Sequence, residues 1–382
     1  MEIPFNVPYF TGTEIGFVED VFVRGQLCGD GYYTQLVNDL LKTKFGAQKA
    51  LLTTSATHAL ELAALLLELK PGDEVIMPSF TFPSTANAVL LRGAQPVFME
   101  INPDTLNMDP EAVEARITPR TKAIIPVHYG GISCEMDKLM ALADCHQIAV
   151  IEDAAQAVNA VYQGRYLGTW GQLGCFSFHG TKNFSCGEGG AILINTEDPA
   201  ILRRAEILIQ KGTNRKQFLQ GEVAKYCWVD QGSSYTPSEI LAAVLYAQLQ
   251  AIVLITAKRK AIHERYSTGL KPYVTRGQIS ITSVPPNCQS NYHLFYLILE
   301  SETLRDRVKR ELGERGIATA FHYVPLHSSP MGKSLGYAPE DLPITESLSR
   351  RLLRLPFSTG MTDPEVEYVI SNLKAVLERL SK

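Results

Sequence analysis

The chain has 382 residues and a mass of 42.2 kDa, enough for about two to three domains at ~150 residues each and for a sizeable buried core. Hydrophobic residues make up 45% and charged residues 20%, with 28 Gly and 21 Pro, a globular composition that excludes disordered, collagen-like and coiled-coil chains. Lys and Arg total 36 against 40 Asp and Glu, a net charge of −4, and no basic tract exists to neutralise a phosphate backbone, which argues against a nucleic-acid partner.

The opening MEIPFNVPYF has neither a basic n-region nor an apolar h-region, so no secretory signal is expected. From about residue 50 to 200, apolar runs alternate with helical segments. Residues 56–69 are apolar nearly all round, with His58, Glu61 and Glu68 as the polar stripe; this predicts a helix buried on most faces. Lys70-Pro71-Gly72-Asp73 stops it. Short runs at 74–78, 96–101, 122–128 and 148–152 predict buried strands, with helices at 84–92, 110–117 and 135–145 between them. Strand and helix alternating at this spacing predict an α/β fold with a mainly parallel sheet covered on both faces. Strands at 174–178 and 191–195 follow, then helices at 199–210 and about 237–270.

The character changes after about residue 270, where Pro272, Pro285 and Pro286 punctuate the chain. A strand-like run at 292–299, a helix at 303–315, another strand-like run at 317–323 and a last helix at 364–380 predict an α+β segment. The expected division is a large domain, 1–250, and a smaller C-terminal domain, 251–382. Seven cysteines (28, 134, 145, 175, 186, 227 and 288) are scattered without a CxxC, the pattern of reduced cytosolic thiols rather than of a disulfide frame or zinc site. No run of ~18 apolar residues is available to span a membrane, and a soluble, cytoplasmic protein without metal is expected.

Four local features carry chemistry. The apolar run 148–152 delivers Glu152 and Asp153 at a strand end, where ligands collect in parallel sheets and where a carboxylate needs a cation; the bland alternative is that Asp153 caps a helix. In CFSFHGTKNFSCGEGGAILIN, Lys182 lies in a polar loop beside Ser177, His179 and Thr181, followed by Gly187, Gly189 and Gly190. A partly buried lysine with glycines that let the backbone approach a ligand suits an amine that must lose its proton, whereas most lysines are solvated surface charges. TTSATHAL (53–60) opens the buried helix with Ser55 and Thr57, an anion site or plain N-capping. PSFTFPST (78–85) ends the next strand with Phe80 and Phe82, either core or a flat face for a planar cofactor. Together these make an anion cradle, an aromatic face, a strand-end acid and a loop lysine, the set that pyridoxal phosphate (PLP) requires.

SATHAL, GDEVIMPSFTFPSTANAV, TKAIIPVHYGG, IEDAAQAV and GCFSFHGTKN with GEGGA resemble the sugar-nucleotide aminotransferases of the DegT/DnrJ/EryC1/StrS family, of PLP fold type I. The likeness runs from FNVPYF to RLLRLPF. It implies that Lys182 attaches the cofactor covalently and then shuttles the proton between substrate carbon and cofactor. It implies that Asp153 pairs with the pyridine nitrogen, Gln156 lies near the ring hydroxyl and Phe82 stacks on the ring. Ala56, Thr57 and Ser177 would hold the phosphate, and a segment around Gly232–Tyr235, with Ser234, would reach that phosphate from the partner subunit of a homodimer. Many relatives carry an asparagine in that segment, where this chain has Ser234 and Thr236. His322 joins the catalytic set and, with Tyr129 and Tyr323, would lie near the sugar. His179 stays outside that set, because alternation along the strand end points it elsewhere.

LCGDG, KGTNR, GSSY and FHYVPLH narrow the resemblance to members that form dTDP-4-amino-4,6-dideoxygalactose. The implied substrates are a dTDP-linked 4-keto-6-deoxyhexose and an amino-acid donor, L-glutamate. A 3-keto-sugar aminotransferase and a PLP-dependent sugar-nucleotide dehydratase are the near alternatives; the dehydratases replace the lysine with histidine, and here Lys182 is intact. A nicotinamide oxidoreductase needs a Gly-rich fingerprint between a strand and a helix, and GEGG runs into a strand. An inactive regulatory paralogue would have lost Asp153 or Lys182.

Overall fold

The computed structural model describes residues 1–380. Two helices come first, α1 (Glu14–Arg24) and α2 (Tyr32–Phe45), each stopped by a left-handed glycine, Gly25 and Gly46, the usual helix-ending device. Alternation follows: β1 (Lys49–Thr53), α3 (Ala56–Leu66), β2 (Glu74–Pro78), α4 (Pro83–Leu90), β3 (Gln95–Met99), α5 (Pro110–Glu114), β4 (Thr121–Ile124), α6 (Met136–His146) and β5 (Ala149–Asp153). A hairpin of β6 (Val161–Tyr162) and β7 (Arg165–Tyr166) leads to β8 (Leu173–Ser177) and β9 (Gly190–Ile194).

The described residues form a seven-stranded sheet in the order β1-β9-β8-β5-β4-β2-β3. β9 runs antiparallel to both neighbours and the other pairs are parallel. The carboxyl ends of β1, β2, β4, β5 and β8 therefore open on one edge of the sheet. Every residue of β2, β8 and β9 is buried, which is why these strands read as continuous apolar runs.

The chain continues through α7 (Pro199–Ile209), α8 (Arg215–Leu219), α9 (Glu239–Gln250) and α10 (Ile252–Thr275). Then come β10 (Ile279–Ile281), β11 (Cys288–Gln289), β12 (Tyr296–Leu299), α11 (Glu302–Glu314), α12 (Pro330–Ser334), α13 (Pro343–Arg351), β13 (Leu352–Arg354) and α14 (Asp363–Leu380). β10, β12 and β13 form a second, antiparallel sheet, while β11 pairs with β6 and joins the two parts of the chain. An apolar cluster around Tyr266, Phe295, Leu353 and Ile370 fills the C-terminal part, and it also takes Ile3 from the start of the chain.

Several expectations are corrected. The segment 237–270 is two helices bent by 64° at Ala251. Pro272 does not end the second, which runs on to Thr275; a proline this near a helix end breaks few ladder bonds. The strand expected at 292–299 begins only at Tyr296, since Tyr292 has φ 54°, a left-handed backbone no strand accommodates. Residues 317–323 form no strand; they make isolated bridges, Ile317 with Ile3 and Ala320 with Arg354. The 122–128 strand stops at Ile124. No single helix among the described residues is long and apolar enough to cross a membrane.

Candidate active site

The sheet edge opens into a cavity of about 600 Å³, within the range of small-molecule sites. Its floor is the turn from β1 into α3. Ser55 is the N-cap, with extended backbone and its Oγ accepting from the His58 amide at 3.1 Å. The first amides of the helix have no helical acceptor and, with the positive end of the helix dipole, make an anion site; Ala56 and Thr57 line the cavity there. Thr57 Oγ1 bonds Ser84 Oγ at 2.7 Å, and Ser177, at the end of β8, lines the cavity beside them.

Gly190 sits opposite both Thr53 and Ser177 in the sheet register. A Cβ at this position would lie 2.3 Å from the Ser55 carbonyl carbon and 2.4 Å from the Ala56 nitrogen, so only glycine lets α3 begin this close to the sheet. The GEGG glycines, expected to let the backbone approach a ligand, thus serve the chain itself: Gly187 supplies a positive φ of 89° and Gly190 makes room for the helix start.

At the end of β5 the strand alternation separates two carboxylates. Glu152 turns inward and accepts from the Gly168, Trp170 and Gly171 amides at 2.7, 2.6 and 2.8 Å and from His128 Nε2 at 2.9 Å. His128 Nδ1 accepts from the Cys134 amide, so its ring is neutral and donates to Glu152. Asp153 faces the cavity. It accepts from Thr85 Oγ1 at 2.7 Å and from the Ala155 amide at 3.2 Å, and burial holds its carboxyl pKa above the ordinary value despite those bonds. No helix follows it, which disposes of the helix-capping alternative.

Lys182, half-buried in the β8–β9 loop, lines the same cavity. Burial brings its pKa down to about 8; the Arg354 guanidinium adds to the effect and Asp153 opposes it. The two phenylalanines divide: Phe80 is core, packed edge-on to Tyr129 at 5.0 Å, while Phe82, 59% exposed, lines the cavity as the N-cap of α4. Gln156 lies on the wall with its amide engaged, Oε1 accepting from the Gly130 amide at 2.8 Å and Nε2 donating to the Tyr323 hydroxyl at 2.9 Å.

From the C-terminal part come His322, Tyr323 and Arg354. Both ring nitrogens of His322 are occupied, Nδ1 by the Tyr129 hydroxyl at 3.1 Å and Nε2 by Arg354 Nη1 at 3.2 Å. Because a guanidinium only donates, Nε2 is an acceptor and the ring is neutral; burial and the neighbouring cation push its pKa far down. His322, expected in the catalytic set and near the sugar, lines the cavity as a neutral ring held between Tyr129 and Arg354. Tyr129 lies beneath the cavity, fully buried among Phe80, Leu294 and Tyr296, and meets the cavity wall through its hydroxyl's bond to His322. His179 sits at the mouth, bonded to Thr181 Oγ1 at 2.9 Å. Ser234 is exposed and outside this chain's own cavity, its backbone bridged to Gln210.

Sequence reasoning missed Thr85, Arg354 and His293. Thr85 lies in a motif already singled out, but its bond to Asp153 spans 68 residues. His293, buried, bonds Asn183 Oδ1 through Nδ1 at 2.9 Å and lines the cavity; in the sequence it reads as one residue of an apolar strand. Nothing in RLLRLPF distinguishes Arg354, on the cavity, from Arg351 at the start of the same run.

These residues fit pyridoxal phosphate: unpaired helix amides and hydroxyls for a phosphate, a buried carboxylate awaiting a cation, an exposed ring beside it and a lysine with a depressed pKa. A family model for the DegT/DnrJ/EryC1/StrS aminotransferases matches residues 9–374. Among solved structures, Spr1654 of Streptococcus pneumoniae, assigned as a sugar aminotransferase, is 29% identical in its apo form, with a TM-score of 0.93 over 100% of this chain and 99% of that one; it is also solved in PLP and PMP forms. DesV of S. venezuelae is 32% identical, with a TM-score of 0.89 over 99% of each chain. PseC of Helicobacter pylori, an aminotransferase involved in the biosynthesis of pseudoaminic acid, is 25% identical, with a TM-score of 0.90 over 99% of this chain and 100% of that one. With the fold, the cavity and the family match in agreement, the chain belongs to the DegT/DnrJ/EryC1/StrS aminotransferase family, whose cofactor is pyridoxal phosphate.

Proposed function

We propose that the protein transfers an amino group from L-glutamate to a dTDP-linked 4-keto-6-deoxyhexose, giving dTDP-4-amino-4,6-dideoxygalactose or a close relative. The observation that carries the reading is the convergence of Lys182 and Asp153 on one cavity, the amine with its pKa near 8. Bound PLP supplies an electron sink for the carbon that loses its proton. Lys182 holds the cofactor and, as a free amine, moves the proton in both halves of the reaction. Asp153, steadied by Thr85 and Ala155, keeps the pyridine nitrogen protonated. Ala56, Thr57 and Ser177 take the phosphate, Phe82 covers the ring and Gln156 stands near its hydroxyl. His322, on the cavity wall where the sugar would lie, is held between Tyr129 and Arg354.

The sugar half rests on the relatives, Spr1654 and PseC among them, and on the LCGDG, KGTNR, GSSY and FHYVPLH likeness; the choice of dTDP and of carbon 4 rests on that likeness alone. We read the protein as a cytoplasmic homodimer with shared sites, in which Ser234 completes the partner's phosphate cradle. Ser234 lies on the surface, and α1 presents Ile15, Phe22 and Val23 at 71%, 61% and 84% exposure, an apolar face of the kind a second copy covers.

The test is the absorbance spectrum of the purified protein with and without glutamate. A near-visible band that gives way to the amine form supports the reading, and Lys182→Ala should abolish turnover while retaining cofactor through its phosphate. Product analysis with dTDP-4-keto-6-deoxyglucose then decides the sugar. A colourless protein that PLP cannot reconstitute would sink the proposal; a coloured one that ignores glutamate would overturn the donor.

A further inference from the structure

We infer that His293 is a positioning residue for Lys182, its Nε2 accepting a hydrogen bond from Lys182 Nζ whenever that amine is free; the assignment rests on the aminotransferase reading above. His293 stands between β11 and β12 and is buried, 6% exposed. Two elements hold it. Arg259 Nη2, on α10, donates to its carbonyl at 2.6 Å, and its Nδ1 meets Asn183 Oδ1 at 2.9 Å. Asn183 Nδ2 donates to the Asn291 carbonyl at 2.8 Å, so Oδ1 is the accepting end of that amide and His293 Nδ1 carries the imidazole proton. Nε2 is then a bare lone pair, and no group among the described residues donates to it. His128 and His322, by contrast, have both ring nitrogens engaged.

The ring shares two cavities with Lys182: the main one, and a small one of about 10 Å³, room for one group the size of a water or an ammonium. Asn183 follows Lys182 in the chain, so the imidazole is tied to the backbone that carries the amine. Lys182 Nζ has no hydrogen-bond partner among the described residues, and its four-carbon stem lets it turn. Once parted from the cofactor and holding a proton, Lys182 is an ammonium in a half-buried site and needs an acceptor. Asp153, the carboxylate whose charge reaches it, is by then committed to the pyridine nitrogen. Burial holds the His293 pKa well below the ordinary histidine value, and the cations facing it, Lys182, Arg259 and Arg354, add to this with His322 beside them. The ring therefore takes a hydrogen bond without taking the proton, and Lys182 remains the carrier. Such a bond favours the ammonium, so it raises the pKa of Lys182 against the downward pull of burial.

The test separates the two ring nitrogens. His293→Asn sets an amide where Nδ1 stood, which keeps the bond to Asn183 and removes the acceptor. His293→Gln sets a carbonyl oxygen where Nε2 stood and drops the bond to Asn183. Lys182 of the cofactor-free protein is titrated by acetic anhydride labelling across pH, read by peptide mass spectrometry. Its midpoint should fall by about one pH unit in the asparagine variant, the worth of one hydrogen bond to a charged group, and stay close to the wild type in the glutamine variant. An unchanged midpoint in the asparagine variant would overturn the assignment. An equal fall in both variants would overturn it too, leaving His293 a support for Asn183 alone. If neither variant folds, the wild type decides: imidazole nitrogen NMR should show Nδ1 protonated throughout and Nε2 shifting as Lys182 titrates. A proton on Nε2, or a signal blind to that titration, would sink the proposal. A fall in the asparagine variant beside a wild type that takes up PLP and ignores glutamate would overturn the aminotransferase reading and leave the contact standing.

Discussion

Lys182 and Asp153 share one cavity, and burial drives their pKa values towards each other, the amine's down and the carboxyl's up, because in each case it penalises the charged form. For Lys182 the consequence is measurable. Below about pH 8 its Nζ is protonated and cannot attack an aldehyde; above that it is free. Capture of PLP by the cofactor-free protein, followed by the rise of its near-visible band, should therefore be half-maximal near pH 8. A midpoint near the ordinary lysine value of 10.5 would show that the amine is solvated and the cavity open. In Arg354→Gln the midpoint should rise, since one cation that repels the ammonium is gone. Both residues were legible in the sequence, Asp153 as a strand-end acid and Lys182 as a lysine ahead of glycines. Thr85, His293 and Arg354 were not, because what gives them meaning is a partner reached across the fold and not a neighbour in the chain.

Among the elements, α3 matters most to the site, and its position depends on a residue of another element. Gly190 in β9 leaves the space that the Ser55–Ala56 peptide fills. Gly190→Ala sets a methyl group against backbone, which cannot swing aside as a side chain can. The expected cost is about 1–3 kcal/mol, as for other overpacked sites, with a weaker hold on the cofactor's phosphate as α3 is pushed off the sheet. Denaturant unfolding and a PLP titration check the two parts, and a variant unchanged in both would show that the helix start has room to move. Strands buried on both faces, β2, β8 and β9, were plain in the sequence, since a run of apolar residues needs no partner to be recognised. The 317–323 run misled for the opposite reason. Ile317 is apolar because Ile3 lies beside it, and no local pattern announces a partner from the far end of the chain. The break at Ala251 carries no glycine or proline, so two helices read as one.

At the scale of the molecule, the cavity takes its cradle, acid and lysine from the sheet of seven strands and its His322, Tyr323 and Arg354 from the C-terminal part. We propose that these are two units divided near residue 250, with the first six residues working as a strap between them. The Ile3 amide donates to Gly316 O at 2.8 Å and its carbonyl accepts from Ala318 at 3.0 Å; the Phe357 amide donates to Phe5 O at 3.2 Å. Asn6 Nδ2 then reaches Gly180 O, beside Lys182, at 3.4 Å. By its packing, Ile3, 2% exposed, belongs to the C-terminal core. Ile3→Ala should therefore destabilise by about 2–5 kcal/mol, the range for buried aliphatic truncation, and the loss should be local before it is global. Hydrogen exchange separates the two. Amides of residues 316–318 and of Arg354, Leu355 and Phe357 should lose protection in the variant, while those of β8 and β9 keep theirs. Equal loss in β8 and β9 would mean that the strap is part of the large core and that the chain opens as one body. Protection lost only at the C-terminal unit would mean that the wall of the cavity carried by Arg354 under Phe5 can loosen while the part built on the seven-stranded sheet keeps its place.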